Sequence, residues 1–390
     1  MALAQADVEA SSLAAVGVCG FHHCPVFLDA EGIPVRPTIV THDDRLGESL
    51  AGLAESGILE ELDRISGSRV MTGHFPPIYH LVRTHDPQVL ETTHWILLAK
   101  DYLRYRLTGQ IGTELCDATG TNLIAMPEQD WSADLCSLLQ VPRHKLPEIG
   151  RSSQLAGYVT PEAARATGLE PGTPVVYGGG DSHCALVGLG VVGSAEAGLL
   201  LGSNSTLRAS FDGPVKPLQQ MVWIQQHVAQ GRFTVSASSM AGSSVLSWFR
   251  GVCFEDEQEG AATYRQLESL AASAPAGCDG LLFHPYLFGE RSPFYNPEAR
   301  GAFLGIRHWH GKEHLVRSIM EGVAFSIANC MDAIQAIAHR KGSPVDVLRT
   351  GKSGGSQLSV WRQIIADALD HALEMADVDE PGCLGAALLA

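Results

Sequence analysis

Cationic charge is scarce in this chain, and long apolar runs are missing. Of its 390 residues only 27 are Lys or Arg, against 43 Asp or Glu, which gives a formal net charge of −16. That shortage argues against a nucleic-acid partner or an anionic membrane surface. No uninterrupted apolar segment is long enough to span a bilayer, so no membrane partner is expected. The opening stretch MALAQADVEASSLAAVG lacks the basic start of a signal peptide, and the expected location is the cytoplasm. The nine cysteines contain no Cys-x-x-Cys and are odd in number, which excludes a disulfide framework and fits reduced thiols. His22, His23 and Cys24 stand side by side, but neighbours in an extended segment alternate in direction, so the sequence assigns no metal-ligand set. Internal repeats of fixed period and low-complexity tracts are also absent.

What remains is the composition of a large globular α/β protein: 45% apolar and 18% charged residues, with 41 glycines. A chain of this length predicts two domains. In the first half, LAAVGVCGFHH reads as a buried strand entering a turn, and PVFLDAEGIPVRPTIV as a hairpin around Asp29 to Gly32. LETTHWILLAKDYLRYRLTG reads as one helix, stopped by Gly109. The turn-rich stretch GYVTPEAARATGLEPGTPVVYGGGD is expected to be a domain junction. In the second half, a helix is predicted from about Glu313 to His339 by the spacing of Leu315, Ile319, Val323, Ile327, Met331 and Ile334.

The chemistry concentrates in small-residue turns. Arg349 to Gln357, RTGKSGGSQ, ends like a P-loop, but Asp346 occupies the place of the required first glycine, and a carboxylate there would repel phosphate. A strand, VDVLR, runs into this turn and a helix leaves it, with Ser356 as the expected N-cap. Further turns lie at Gly178 to Gly180, Gly202 to Ser205 and Ala241 to Ser244. Turns that expose backbone N–H groups suit a polyphosphate, and they equally suit tight strand–helix packing. Asp181, directly after three glycines, would place a carboxylate at the carboxyl edge of a sheet, where α/β proteins bind ligands. A phosphoryl transfer with Asp181 taking the proton of a hydroxyl fits this pattern. A structural Gly-Gly-Gly-Asp turn is the alternative.

VVYGGGDSHCALVGLG, LFHPYLFGERSPFYNPEARGAFLGI, LVRSIMEGVAFSI and GCLGAALLA resemble the C-terminal domain of the FGGY carbohydrate kinases. LLAKDYLRYRLTG, CDATGTNLIA and GLEPGTPVV resemble the N-terminal domain of the same family, nearest its xylulose-kinase branch. The resemblance implies the two-domain α/β fold of actin, hexokinase and Hsp70 (ribonuclease H-like), with a cleft between domains. Residues 1–174 would form the sugar side and 175–390 the nucleotide side. It further implies ATP-dependent transfer to a sugar or sugar-acid hydroxyl, with Mg²⁺, and Asp181 as base. Gly202, Ser203, Gly242, Gly351, Gly354 and Ser356 would bind nucleotide. A sugar and ATP are the expected small-molecule partners, and a homodimer the expected assembly.

Departures from the family pattern fall on the sugar side. Phe21-His22-His23 stands where xylulose kinases carry Gln-Met-His, and looks nearer to the Phe-Trp-His of gluconate-kinase-like members. THDDR keeps only Asp43 and Arg45 of the usual Trp-Asn-Asp-Gly-Arg, and Ser182 replaces the asparagine after the base. His22, His23, Asp43, Arg45 and Ser182 are the substrate-binding candidates, with Arg45 able to pair with an aldonate carboxylate. In the nucleotide turn Lys352 and Ser353 replace glycines, which would add bulk or positive charge there. The family's opening Asp-x-Gly-Thr strand does not precede VGVCGFHH, and its last helices do not follow LGAALLA. The expectation is a chain lacking those strands and helices, with a catalytically impaired binding protein as the rival to an active kinase, and an actin-like scaffold as a second rival.

Overall fold

The structure, a computed structural model, describes residues 5–41, 43–215, 222–253 and 261–390, with backbone alone at 261–263. It divides into two compact units, one of Met1–Gly188, Gln225–Phe233 and Pro381–Ala390, the other of Leu189–Ile224 and Thr234–Glu380.

In the first unit β1 (Cys19–Gly20) leads through a turn to β2 (Pro25–Leu28), followed by α1 (Leu46–Glu55) and α2 (Phe75–His85). Then come β3 (Trp95–Leu98), α3 (Ala99–Thr108) and α4 (Leu115–Gly120), and later β4 (Leu155–Tyr158), β5 (Pro174–Val176), β6 (Gly179–Gly180) and α5 (Asp181–Gly188). Residues expected as one helix from Leu90 to Gly109 instead contain a strand, because Trp95-Ile-Leu-Leu98 pairs antiparallel with all four residues of β2. This apolar run is mostly buried, and ladder pairing in a core outweighs a helical pattern read from spacing alone. Gly109 does end α3, with φ of 70°. The expected hairpin around Asp29 forms in short: Asp29 N–H donates to Ile33 O at 3.0 Å and Val35 N–H to Phe27 O at 2.9 Å, about the antiparallel bridge of Leu28 with Pro34. The turn-rich stretch after Gln154 folds within this unit, β4 pairing antiparallel with β5. Phe27, Leu46, Leu53, Phe75, Ile78 and Ile96 anchor the main core.

The second unit holds most of a six-stranded sheet of β7 (Glu196–Leu201), β8 (Ser205–Asp212), β9 (Trp223–Gln226), β10 (Arg232–Ser239), β11 (Val347–Thr350) and β12 (Leu373–Met375), of which Gln225, Gln226, Arg232 and Phe233 are counted in the first unit. Their spatial order is β9-β10-β8-β7-β11-β12. β7 and β8 make an antiparallel hairpin, and β11 lies parallel to both β7 and β12. Its helices are α6 (Ser243–Cys253), α7 (Ala261–Ser273), α8 (Lys312–Arg340) and α9 (Ser359–Leu369). The long α8 agrees with its predicted bounds, and its buried residues include Val323, Ile327 and Ile334. Among the described residues no helix is long and apolar enough to cross a membrane.

Glycine lets the backbone of the first unit close around Asp181. Gly178 has φ of +73°, and a Cβ there would meet Val18 O at 1.8 Å. The parallel register Cys19↔Gly179 depends on that approach. Gly178→Ala should therefore cost more than the roughly 1–2 kcal/mol of a left-handed side chain, because the clash adds to it. Chemical denaturation is the check, and an unchanged midpoint would mean that the β1–β6 pairing tolerates displacement.

Candidate functional site

The three glycines place Asp181 at the N-terminus of α5 with an exposed carboxylate. A Cβ on Gly179 would lie 2.3 Å from the Val228 side chain, and one on Gly180 would lie 1.8 Å from His22 Nε2. The sequence left packing and ligand approach as alternatives for this turn. The structure shows that the glycines are packed tightly and that the carboxylate after them still faces solvent. Ser182 donates its backbone N–H to Asp181 Oδ1 at 2.5 Å, which fixes the carboxylate plane. The far side of α5 is equally constrained. The helix Pro381–Leu389 lies on it so closely that a Cβ on Gly385 would meet Cys184 O at 1.7 Å.

His23 sits in the same unit with φ of +70°, a left-handed conformation few side-chain-bearing residues adopt. Its Nδ1 lies 2.7 Å from the Gly120 carbonyl oxygen, and its ring stacks on His74 at 4.2 Å between centroids. A carbonyl only accepts, so Nδ1 carries the proton and Nε2 is the acceptor of the neutral ring. Strain of this kind, of order 1–3 kcal/mol, persists where surrounding structure over-determines it, often at ligand sites. His22 is buried, with Nδ1 2.7 Å from Asp117 Oδ1 and Nε2 3.0 Å from His183 Nδ1.

Asp43 and Arg45 form a fork with each other. Arg45 Nε and Nη2 donate to the two Asp43 oxygens at 2.8 and 2.6 Å, and the guanidinium holds that carboxyl down to about 2. Arg45 lines a cavity of about 360 Å³ with Glu48, Gly52, Glu55, His80 and Thr84. Its lining includes neither Asp181 nor His23.

Sequence reasoning missed the buried ion cluster of this unit. Lys100 Nζ lies 2.7 Å from Asp101 Oδ1, 3.4 Å from Asp117 Oδ2 and 3.8 Å from Glu114 Oε1, and all four side chains are fully buried. Glu114 also caps α4, accepting from the Cys116 and Asp117 backbone N–H groups. Thr113 Oγ1 donates to Asp101 Oδ2. Burial pushes the Glu114 carboxyl up from 4.5 to about 7 against the pull of Lys100. The one signal in the sequence was charge inside otherwise apolar or small-residue stretches, LLAKDY and CDATG.

In the second unit three small-residue turns meet. Ser243 and Ser244 donate backbone N–H groups to the carbonyls of Gly202 and Ser203, at 2.8 and 3.2 Å. A Cβ on Gly242 would come within 2.5 Å of Ser203 O, and one on Gly354, whose φ is +56°, within 2.1 Å of Leu201 O. Beside them a cavity of about 430 Å³ is lined by Ser243, Leu246, Tyr264, Gly354, Gly355 and Trp361. A slot of this size with aromatic and aliphatic walls suits a flat, mostly apolar ligand group. Gly351 ends β11, and Thr350 Oγ1 bonds to Leu199 O and to Ser356 Oγ, each at 2.8 Å. Ser356 is thus not the cap of α9 that the sequence predicted. It lies in a short 3₁₀ turn, and α9 begins at Ser359 after Leu358. Lys352 pairs with Asp377 at the surface, which offsets the positive charge expected of it.

The GERSP run proves structural within this unit. Buried Glu290 accepts from Ser239 Oγ at 2.6 Å, Ser326 Oγ at 3.1 Å and the Met240 backbone N–H at 2.9 Å. It ties the end of β10 to α8 just ahead of Ala241 to Ser244.

Residues 1–188 match the N-terminal domain, and residues 199–390 the C-terminal domain, of the FGGY family of carbohydrate kinases. A xylulose kinase of Escherichia coli (strain K12) is 32% identical over 377 residues, which are 96% of this chain and 75% of that protein. A xylulose kinase of Bacillus subtilis (strain 168) is 28% identical over 98% of this chain and 75% of its own length. Among solved structures, a xyloylose kinase from Brucella ovis superposes with a TM-score of 0.89 at 27% identity, covering 100% of this chain and 77% of that one.

Two predictions concern the ion cluster. Lys100→Met strands three carboxylates in the core and should cost about 3–5 kcal/mol in denaturant titrations, as removal of one buried partner does. Glu114 holds its proton more tightly folded than unfolded, so its contribution is complete below pH 4.5 and lost as pH rises through about 7. The melting temperature of the wild type should therefore fall relative to Glu114→Gln across that window and run parallel above it. A constant difference would remove Glu114 as the titrating group.

Proposed function

The chain belongs to the FGGY family of carbohydrate kinases and is an ATP-dependent sugar phosphotransferase with the two-domain actin/hexokinase-like fold, and we propose that its acceptor is a neutral ketose of the xylulose class with Asp181 as base. The observation that carries the assignment of the base is the exposed Asp181 carboxylate, held by the Ser182 amide at the end of a glycine turn packed on every side. In this reading the carboxylate accepts the proton of the sugar hydroxyl as its oxygen attacks the γ-phosphorus and ADP leaves. His23 accepts a second hydroxyl through Nε2 and Ser182 stands beside the base, whereas His22, expected to bind substrate, is buried against Asp117 and His183 and serves that site only from behind. Support for a neutral acceptor over a sugar acid comes from Arg45, whose fork is already filled by Asp43. The two xylulose kinases of Escherichia coli and Bacillus subtilis point the same way.

The first unit, which runs past the expected boundary at 174 to Gly188, would serve the sugar, and the second the nucleotide. The slot beside Gly354 and Trp361 would take the adenosine, with Gly202, Ser203, Gly242, Gly351 and Ser356 shaping its turns. Mg²⁺, which the family implies, would supply charge neutralisation of the nucleotide phosphates. Free thiols at all nine cysteines and a net charge of −16 support a cytoplasmic enzyme with no nucleic-acid partner. A homodimer completes the reading.

The test is ADP release from Mg-ATP against a panel of ketopentoses, aldoses, polyols and aldonates. A ketopentose should give the highest kcat/KM, and Asp181→Asn should lower kcat by about a hundredfold or more while sugar binding, followed by calorimetry, persists. Near-normal turnover by that variant would overturn the base assignment, and a preference for aldonates would overturn the acceptor class.

A further inference from the structure

We propose that His22, Cys116 and His183 form a buried site for a divalent cation of the zinc class, in the first unit beside Asp181. The three residues come from separate segments, the turn after β1, the first turn of α4 and the first turn of α5. Their ligand atoms nevertheless lie within 4.8 Å of one another, and all three side chains are buried. The neighbours His22, His23 and Cys24 cannot share an ion from one extended segment. The fold instead gives His22 two partners that are remote in sequence.

The proton arrangement suits a ligand. His22 Nδ1 is 2.7 Å from Asp117 Oδ1 and Nε2 is 3.0 Å from His183 Nδ1, so a His22 protonated at Nδ1 presents its Nε2 lone pair toward His183. A carboxylate behind an imidazole is the usual arrangement around metal-bound histidine, where it sets tautomer and ring direction. Gly180 fixes the ring further, since any side chain there would collide with His22 Nε2. With metal–nitrogen bonds of about 2.0–2.1 Å, the two nitrogens of a tetrahedral site stand only slightly farther apart than they do here. Two imidazoles and a thiolate select zinc-class ions over Mg²⁺. Three protein donors leave the fourth position for water or another ligand.

Binding balances as follows. The Cys116 thiol loses its proton to solvent and becomes the thiolate donor. His183 moves its proton from Nδ1 to Nε2, and its Nδ1 lone pair joins that of His22 Nε2 on the ion. The bound ion would tie the turn that carries His23 to the helix that begins with Asp181, so occupancy stabilises both without taking part in phosphoryl transfer. The inference rests on this chain's own geometry and stands whether or not Asp181 is the base.

The test uses full-length protein dialysed against chelator, then titrated with Co²⁺ as a spectroscopic probe and with Zn²⁺ in competition. One equivalent of Co²⁺ should give the visible bands of tetrahedral cobalt with a thiolate charge-transfer band, and one equivalent of Zn²⁺ should abolish them and raise the melting temperature. Cys116→Ser, checked for folding by circular dichroism, should lose the charge-transfer band, and His183→Gln should weaken binding at least tenfold. Cys19→Ser should change neither. Should Cys116→Ser fail to fold, His183→Gln alone decides. The proposal is overturned by the absence of tetrahedral bands, by a charge-transfer band that survives Cys116→Ser, or by unaltered affinity in His183→Gln.

Discussion

Close contact of backbone with backbone, possible only through glycine, is the constraint on which the first unit depends. α5 is pressed at its entry and along its side. Gly178 and Gly180 bring its entry onto Val18 and His22, and Gly385 brings the helix Pro381–Leu389 against Cys184. Each contact leaves no room for a methyl group. In the proposed reading Asp181 is the base, and the rate advantage of a base depends on its position relative to the hydroxyl. Here the helix has almost no freedom to shift, and Asp181 takes its position from the main chain and not from its own side-chain packing.

The second unit uses the same device for a different end. Gly242 and Gly354 let three turns close on one another, and Glu290 locks the strand end that feeds one of them to α8. The result is a slot lined both by glycine backbone and by Trp361 and Tyr264. Backbone is insensitive to substitution, so such a wall keeps its shape while the side chains around it vary.

The α/β class and the exposed placement of Asp181 after its glycines were legible in local patterns, while the two-domain fold was legible only through the resemblance. Glycine triplets, strand-to-turn transitions and the helical spacing of α8 are written in consecutive residues. Lys100 with Asp101, Glu114 and Asp117 was not legible, because a buried ion cluster is defined by partners on different elements, and each charge read singly looks like a solvated one. Ser356 misled for a related reason: a serine before a helix signals a cap, yet its hydroxyl found Thr350 inside the fold. Trp95 to Leu98 shows the limit of periodicity, since four apolar residues fit a helix or a strand until their partner is known. Arg45 read as a free cation because nothing in the sequence says that Asp43 two residues earlier will fold back onto it.

His23 carries one more consequence. Its left-handed backbone costs the folded state free energy that an asparagine or a glycine at the same position would largely recover. Those residues would surrender the ring that stacks on His74 and bonds to Gly120. Position 23 is therefore a place where the preference of the backbone and the contacts of the ring pull in opposite directions.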